Sequence, residues 1–187
     1  MTAAIPQVLF IQGGGAGTHD EYDSKLVDSL KRDLAGWEVR YPRMANEDDP
    51  SAANWGPAIE RELAALDAGA VLIGHSVGGT LLIHALSGQP PTQAPAAIVL
   101  IAAPFVGADG WSSDELQLSP DLGARLPAGV PVHVFHGSDD QTVPPTHADL
   151  YARAIPHAQI HRLPGRDHQL NDSLSEVAKV LRTSLDR

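Results

Sequence analysis

The chain has 187 residues, 43% of them apolar, which is enough for one sizeable core and short for two domains. Its 13 basic and 23 acidic residues give a net charge of −10, and no cluster of Lys and Arg offsets it, which argues against nucleic acid or an anionic membrane as the main partner. Cysteine is absent, which excludes a disulfide framework, a thiolate nucleophile and a Cys-ligated metal.

At the start, Met1-Thr2-Ala3-Ala4-Ile5-Pro6 lacks a basic segment followed by an apolar core, so no secretory signal is expected. The longest apolar run, residues 96–103, is too short to span a bilayer. The default expectation is a cytoplasmic, single-domain protein with no membrane partner.

Gln7-Val8-Leu9-Phe10-Ile11-Gln12 is an apolar run broken by Gly13-Gly14-Gly15-Ala16-Gly17, a pattern that suits a buried parallel strand feeding a loop. Leu26, Val27, Leu30 and Leu34 then fall on one helical face, closed by Gly36. Trp37-Glu38-Val39-Arg40-Tyr41 alternates apolar and charged residues, as an edge strand or one with a wet face would. After a polar loop over residues 42–50, Trp55, Ile59, Leu63 and Leu66 trace a second amphipathic helix, which stops near Gly69.

An apolar run from Ala70 to Ile73 ends abruptly at Gly74-His75-Ser76-Val77-Gly78, and Val77, Leu81, Leu82 and Ala85 begin a helix at once. Residues 96–103 show no polar alternation and are expected to be a central strand covered on both faces. Residues 104–129 are the least regular stretch and form a possible small flap carrying Trp111. Residues 130–135 return to strand and are broken by His136-Gly137-Ser138-Asp139-Asp140. Pro144-Pro145 opens a helix with Leu150, Tyr151 and Ile155, and residues 158–163 are a last strand. Leu170, Leu174, Val177, Leu181 and Leu185 form the face of a closing helix, with Ser173 and Glu176 spaced as a capping box.

Six strands alternating with helices predict an α/β three-layer sandwich: a mostly parallel six-stranded sheet with helices on both faces and right-handed crossovers. Ligands in such sheets bind beyond the carboxyl ends of the strands. Ser76, Asp139, Asp140 and His168 all follow strands, so they should share that rim.

The five residues at Ser76 read G-x-S-x-G between a strand and a helix, the pattern of a nucleophile elbow, where a tight turn exposes the serine hydroxyl. Side chains at Gly74 or Gly78 would collide as the helix folds back across the strand. The helix N-terminus and the N–H of Val77 would face an oxyanion formed at Ser76. A serine hydroxyl needs a base to become a nucleophile; imidazole suits that task, and a carboxylate fixes its tautomer.

With Gly74-His75-Ser76-Val77-Gly78, His136-Gly137-Ser138-Asp139-Asp140-Gln141-Thr142-Val143-Pro144 and Gly165-Arg166-Asp167-His168 in the order serine, acid, histidine, the sequence resembles the α/β-hydrolases over nearly its whole length. The resemblance implies Ser76 as nucleophile and His168 as base. It implies Asp140 as the acid through Asp-x-x-Val-Pro, with Asp139 one residue off register as the alternative. His75, before the serine, is a position often occupied by histidine in that superfamily without being the base. His133, His136 and His161 lie on or beside strands, where packing roles fit, with His136 close enough to the rim to support it. His19, His84, His147 and His157 read as structural.

The second oxyanion donor is expected from Gln12-Gly13-Gly14-Gly15, where superfamily members often carry His-Gly. The departure leaves Gly14 or Gly15, with register favouring Gly14. The glycines make a poor phosphate cradle, because no G-K-[ST] follows and the spacing misses G-x-G-x-x-G. The pairs His133/His136 and His157/His161 lack acidic partners at ligand spacing, so no metal is expected, and no cofactor.

The first strand already carries the Gly-rich loop, so a sheet without the two strands that precede it in larger superfamily members is expected, and no insertion is long enough for a full cap domain. In size the chain is similar to the serine hydrolases that resemble retinoblastoma-binding protein. The expected activity is hydrolysis of a small or medium acyl ester or thioester, with a small-molecule acyl substrate and an acyl-enzyme intermediate. The alternative is a hydrolase-fold module that binds a protein or ligand. The sequence carries no signal of oligomeric state.

Overall fold

The computed structural model describes residues 5–185; residues 1–4 and the side chain of Leu185, expected on the closing helix, lie outside the described residues. Six strands, β1 (Gln7–Ile11), β2 (Glu38–Arg40), β3 (Val71–His75), β4 (Ala97–Ile101), β5 (Val132–Gly137) and β6 (Gln159–Leu163), form one sheet in the order β2-β1-β3-β4-β5-β6. Every pairing between these strands is parallel. Parallel neighbours need crossovers, and these carry α1 (Asp23–Asp33), α2 (Ala52–Ala64), α3 (Val77–Gly88), α4 (His147–Ala154) and, after β6, α5 (Ser175–Leu185).

Alternate strand residues feed two cores, one on each face of the sheet. Leu9, Leu72, Leu100 and Val134 pack with Trp55 and Ile59 of α2, Leu82 of α3 and Tyr151 of α4. Phe10, Ile73, Val99 and Phe135 pack with Leu26 and Leu30 of α1 and Val177 and Leu181 of α5. Strands β3, β4 and β5 are buried along their whole length, which is why β4 shows no polar alternation in its sequence. The edge positions fall to β2, with Glu38 exposed, and to β6.

Local structure departs from the sequence expectation where tertiary contacts override periodicity. A π-helical turn, Thr18–Tyr22, precedes α1. Helix α2 is capped by Ser51, whose hydroxyl accepts the Asn54 N–H at 3.2 Å, and it ends at Ala64, so Leu66 is buried beyond the helix rather than on it. Leu170 sits not on α5 but in a separate turn, where Leu170, Asn171 and Asp172 have φ of 48°, 55° and 58°. The capping box does not close: Ser173 Oγ accepts the Ser175 N–H, while the Glu176 carboxylate turns to the Arg166 guanidinium.

Residues 104–129 contain an isolated bridge between Val106 and Trp111 and a 3-10 turn, Leu122–Arg125. Their Leu116, Leu118, Leu122 and Leu126 are buried in the same core as α3 and α4, while Trp111 is 43% exposed. The direction of winding reverses between β1 and β3, so a crevice opens at their carboxyl ends. The Gly-rich loop follows one of these strands and Ser76 follows the other.

Candidate active site

Ser76 joins β3 to α3 with φ 52° and ψ −135°, a backbone conformation that a non-glycine residue keeps only when its surroundings enforce it. Its N–H donates to the Ile101 carbonyl of β4 at 2.8 Å, and its own carbonyl accepts the Gly79 N–H at 2.9 Å. Two glycines let the elbow close. A Cβ on Gly74 would lie 2.5 Å from Gly79 Cα, the collision between strand and helix expected from sequence. A Cβ on Gly78 would instead run into the Gln12 carbonyl at the end of β1, so this glycine fits the elbow to the Gly-rich loop.

His168 Nε2 lies 3.0 Å from Ser76 Oγ, and His168 Nδ1 lies 2.8 Å from Asp140 Oδ2. A proton on Nδ1, directed at the carboxylate, leaves the Nε2 lone pair facing the hydroxyl. Asp140 is 4% exposed and well satisfied: Oδ1 accepts the N–H groups of Thr142 and Val143, both at 2.8 Å. Its Oδ2 also lies 3.1 Å from His136 Nε2, which is 2.9 Å from the Val143 carbonyl as well. Burial alone would raise the Asp140 carboxyl, but the hydrogen bonds from His136, His168 and Val143 outweigh it and hold the group well below the usual carboxylate range. Asp139 is exposed, and its carboxylate accepts the Ser138 hydroxyl at 2.7 Å, so Asp140 and not Asp139 meets His168.

In the Gly-rich loop, Gly13 N–H donates to Asp23 Oδ2 at 2.7 Å and Gly15 N–H to the Glu47 carbonyl at 2.6 Å. Among the described residues the N–H groups of Gly14 and Val77 meet no acceptor. A Cβ on Gly14 would lie 3.0 Å from Val77 Cγ1, so these two donors belong to adjoining residues beside Ser76. Gln12, standing where superfamily members often have histidine, is wholly buried. It accepts the Met44 N–H at 2.9 Å and donates to Glu47 Oε1 at 2.9 Å. The Glu47 carboxylate also takes the N–H groups of Gly17 and His19, each at 3.0 Å, so the protein's own carboxylate occupies these donors of the Gly-rich loop.

Asp23 and Glu47 carry no local motif in the sequence, since their partners at the site lie far along the chain. The sequence placed His75 in the elbow but did not show its environment: the ring is buried between Asp23 and the His168 carbonyl. His136 supports Asp140, as its place at the end of β5 suggested. His147 Nδ1 accepts the Phe105 N–H at 2.8 Å, and Trp111 packs edge-on against its ring at 5.5 Å. His133 meets His161 at 3.2 Å rather than His136, and among the described residues no three His, Asp or Glu side chains are grouped to hold a metal ion. A hollow of about 400 Å³, bordered by Pro57, Arg61, Ala85 and Pro91, lies toward the far end of α3 from Ser76. Among the described residues no helix is long and apolar enough to cross a membrane.

A sequence model of the family described as serine hydrolase matches residues 22–176. The chain is 24% identical over 201 aligned residues to a protein of Arthroderma benhamiae described as an uncharacterized secreted protein, covering 89% of this chain but 22% of that one. It thus spans about a fifth of the length of that curated relative. Among solved structures it is similar to the ydeN gene product of B. subtilis, with 21% identity, TM-score 0.74 and coverage of 97% of this chain and 100% of that one. It is also similar to the esterase RhEst1 of a Rhodococcus species, with 18% identity, TM-score 0.69 and coverage of 96% and 90%.

Proposed function

This chain belongs to the serine hydrolase family, within the α/β-hydrolase superfamily, and from that premise we propose that it cleaves small or medium acyl esters or thioesters through an acyl-enzyme at Ser76. The observation that carries the reading is the unbroken hydrogen-bond chain from Ser76 Oγ through His168 to Asp140, beside two backbone N–H groups that meet no acceptor among the described residues.

In this mechanism His168 Nε2 removes the Ser76 proton as Oγ attacks the acyl carbon. Asp140 holds the tautomer and stabilises the imidazolium that forms. The oxygen of the tetrahedral intermediate turns toward the N–H groups of Val77 and Gly14 at the positive end of α3. Collapse expels the alcohol or thiol, which takes its proton from His168. Water, activated by the same imidazole, then attacks the acyl-enzyme and frees the acid and Ser76.

The proposed substrate size follows from the shape of the rim. The stretch expected as a small flap, residues 104–129, is rooted in the core by four buried leucines, and a site without a cap offers little apolar surface to a long acyl chain. A panel of p-nitrophenyl esters and thioesters of increasing acyl length tests this. The expected result is turnover highest for short chains and reduced by on the order of 10⁴-fold or more in Ser76→Ala. No turnover at any chain length would favour a binding module instead.

A further inference from the structure

Behind the Ser76–His168–Asp140 chain lies a second buried pair that the proposed reaction does not use. Asp23, the first residue of α1, is 0% exposed and His75, the last residue of β3, is 1% exposed. His75 Nδ1 is 3.0 Å from Asp23 Oδ2, and its Nε2 is 3.0 Å from the main-chain carbonyl oxygen of His168. Both neighbours are acceptors. A neutral imidazole carries one N–H and would set a lone pair against one of them, whereas an imidazolium satisfies both. Burial would raise the Asp23 carboxyl, but the His75 charge and hydrogen bond and the Gly13 N–H, 2.7 Å from Oδ2, outweigh it and hold the group below its ordinary value.

The carbonyl that His75 holds belongs to the residue whose ring faces Ser76. The backbone just beyond it runs through three successive non-glycine residues at positive φ, Leu170, Asn171 and Asp172. Such a turn persists only under outside restraint. Asp167 Oδ1 supplies part of that restraint locally, accepting the N–H groups of Gln169 at 3.0 Å and Asn171 at 2.8 Å. His75 ties the same loop directly to the elbow.

We propose that the Asp23–His75 ion pair is a positioning device for His168: protonated His75 donates to the His168 carbonyl, fixes the base loop against the elbow, and lets it go on losing its proton. This inference rests on the reading of Ser76 and His168 given above. The charged and titratable groups facing His75 are Asp23 from α1, Asp140 from the loop after β5, and the His168 ring, whose centroid is 5.0 Å away. Burial would push the His75 imidazole down, but the charges of Asp23 and Asp140 and the two hydrogen bonds outweigh it, so it titrates above its ordinary value. A group raised in the folded state contributes fully below its unfolded pKa and loses that contribution as the pH rises through the folded pKa. The device therefore fails on the alkaline side.

Two measurements test it. In wild-type protein labelled with ¹⁵N-histidine, long-range ¹H–¹⁵N spectra across a pH series should show the His75 ring losing its proton only above the ordinary imidazole value of about 6.5, and still protonated on both nitrogens at that pH. A ring with one bare nitrogen there would overturn the proposal, whatever the protein catalyses. In kinetics, His75→Ala should lower kcat by about tenfold or more with little change in KM, since it loosens the base and not the substrate. The paired variant Asp23→Asn, His75→Gln keeps an amide N–H toward the carbonyl without a buried unpaired charge, and should recover most of kcat while losing the alkaline fall of wild type. A paired variant with the wild-type alkaline limb, or His75→Ala with wild-type kcat, would contradict the proposal. If His75→Ala does not fold, the spectra and the paired variant still decide. Absence of Ser76-dependent turnover in wild type would instead strike the underlying reading.

Discussion

Asp140 shows how one residue can be both readable in the sequence and more constrained than the sequence suggests. Its place in Asp-x-x-Val-Pro made it the expected acid, and the same register explains why Thr142 and Val143 turn their N–H groups onto Oδ1. What the register could not show is His136, whose Nε2 shares Oδ2 with His168. Replacing Asp140 by Asn should leave the fold in place and lower kcat by roughly 10³–10⁴-fold, because an amide does not hold the imidazole in the required tautomer. The depressed acid also has a stability signature. A carboxyl lowered in the folded state contributes fully above its unfolded pKa of about 3.9 and loses that contribution as the pH falls below it. Urea midpoints of wild type should therefore drop steeply below about pH 4, and those of Asp140→Asn less so. Asp23 and Glu47 were not readable because neither has a local signal. An acid opening a helix passes as a favourable first-turn charge, and its histidine is 52 positions away.

Among the elements, the strands and the main helices followed from hydrophobic runs and from glycine and proline punctuation, since each is set by its own residues. The exceptions come from side-chain contacts that hydrophobic pattern does not register: Asp167 accepts the Asn171 N–H within the left-handed turn at residues 170–172, and Glu176 leaves its capping role for Arg166. The elbow is the element on which packing is tightest. Gly74→Ala would force Cβ to 2.5 Å from Gly79 Cα, so it should destabilise the protein by about 1–3 kcal/mol and shift Ser76 away from His168. Gly56 offers the contrast: it lies inside α2, and a Cβ there would meet nothing within 4 Å. Gly56→Ala should stabilise by about 0.5–1 kcal/mol without touching activity. Urea denaturation of both variants, with ester turnover beside it, checks the pair.

At the scale of the whole molecule, the sequence predicted the alternation of strands and helices, but the strand order came from the structure. That order, β2-β1-β3-β4-β5-β6, turns three positions scattered along the chain into one site and sets the Gly-rich loop beside the elbow at the reversal. The chain carries a net charge of −10. Neutral short-chain esters should have a higher kcat/KM than half-esters of dicarboxylic acids, and the gap should narrow as salt is raised from about 0.01 M to 0.5 M, where the Debye length shrinks from about 30 Å to a few ångströms. If Ser76 is the nucleophile and His168 activates it, a fluorophosphonate added to the folded protein should leave one adduct, mapped by peptide mass spectrometry to the peptide carrying Ser76, and none in Ser76→Ala. An unlabelled wild type, or a label that persists in Ser76→Ala, would rule out Ser76 as the nucleophile.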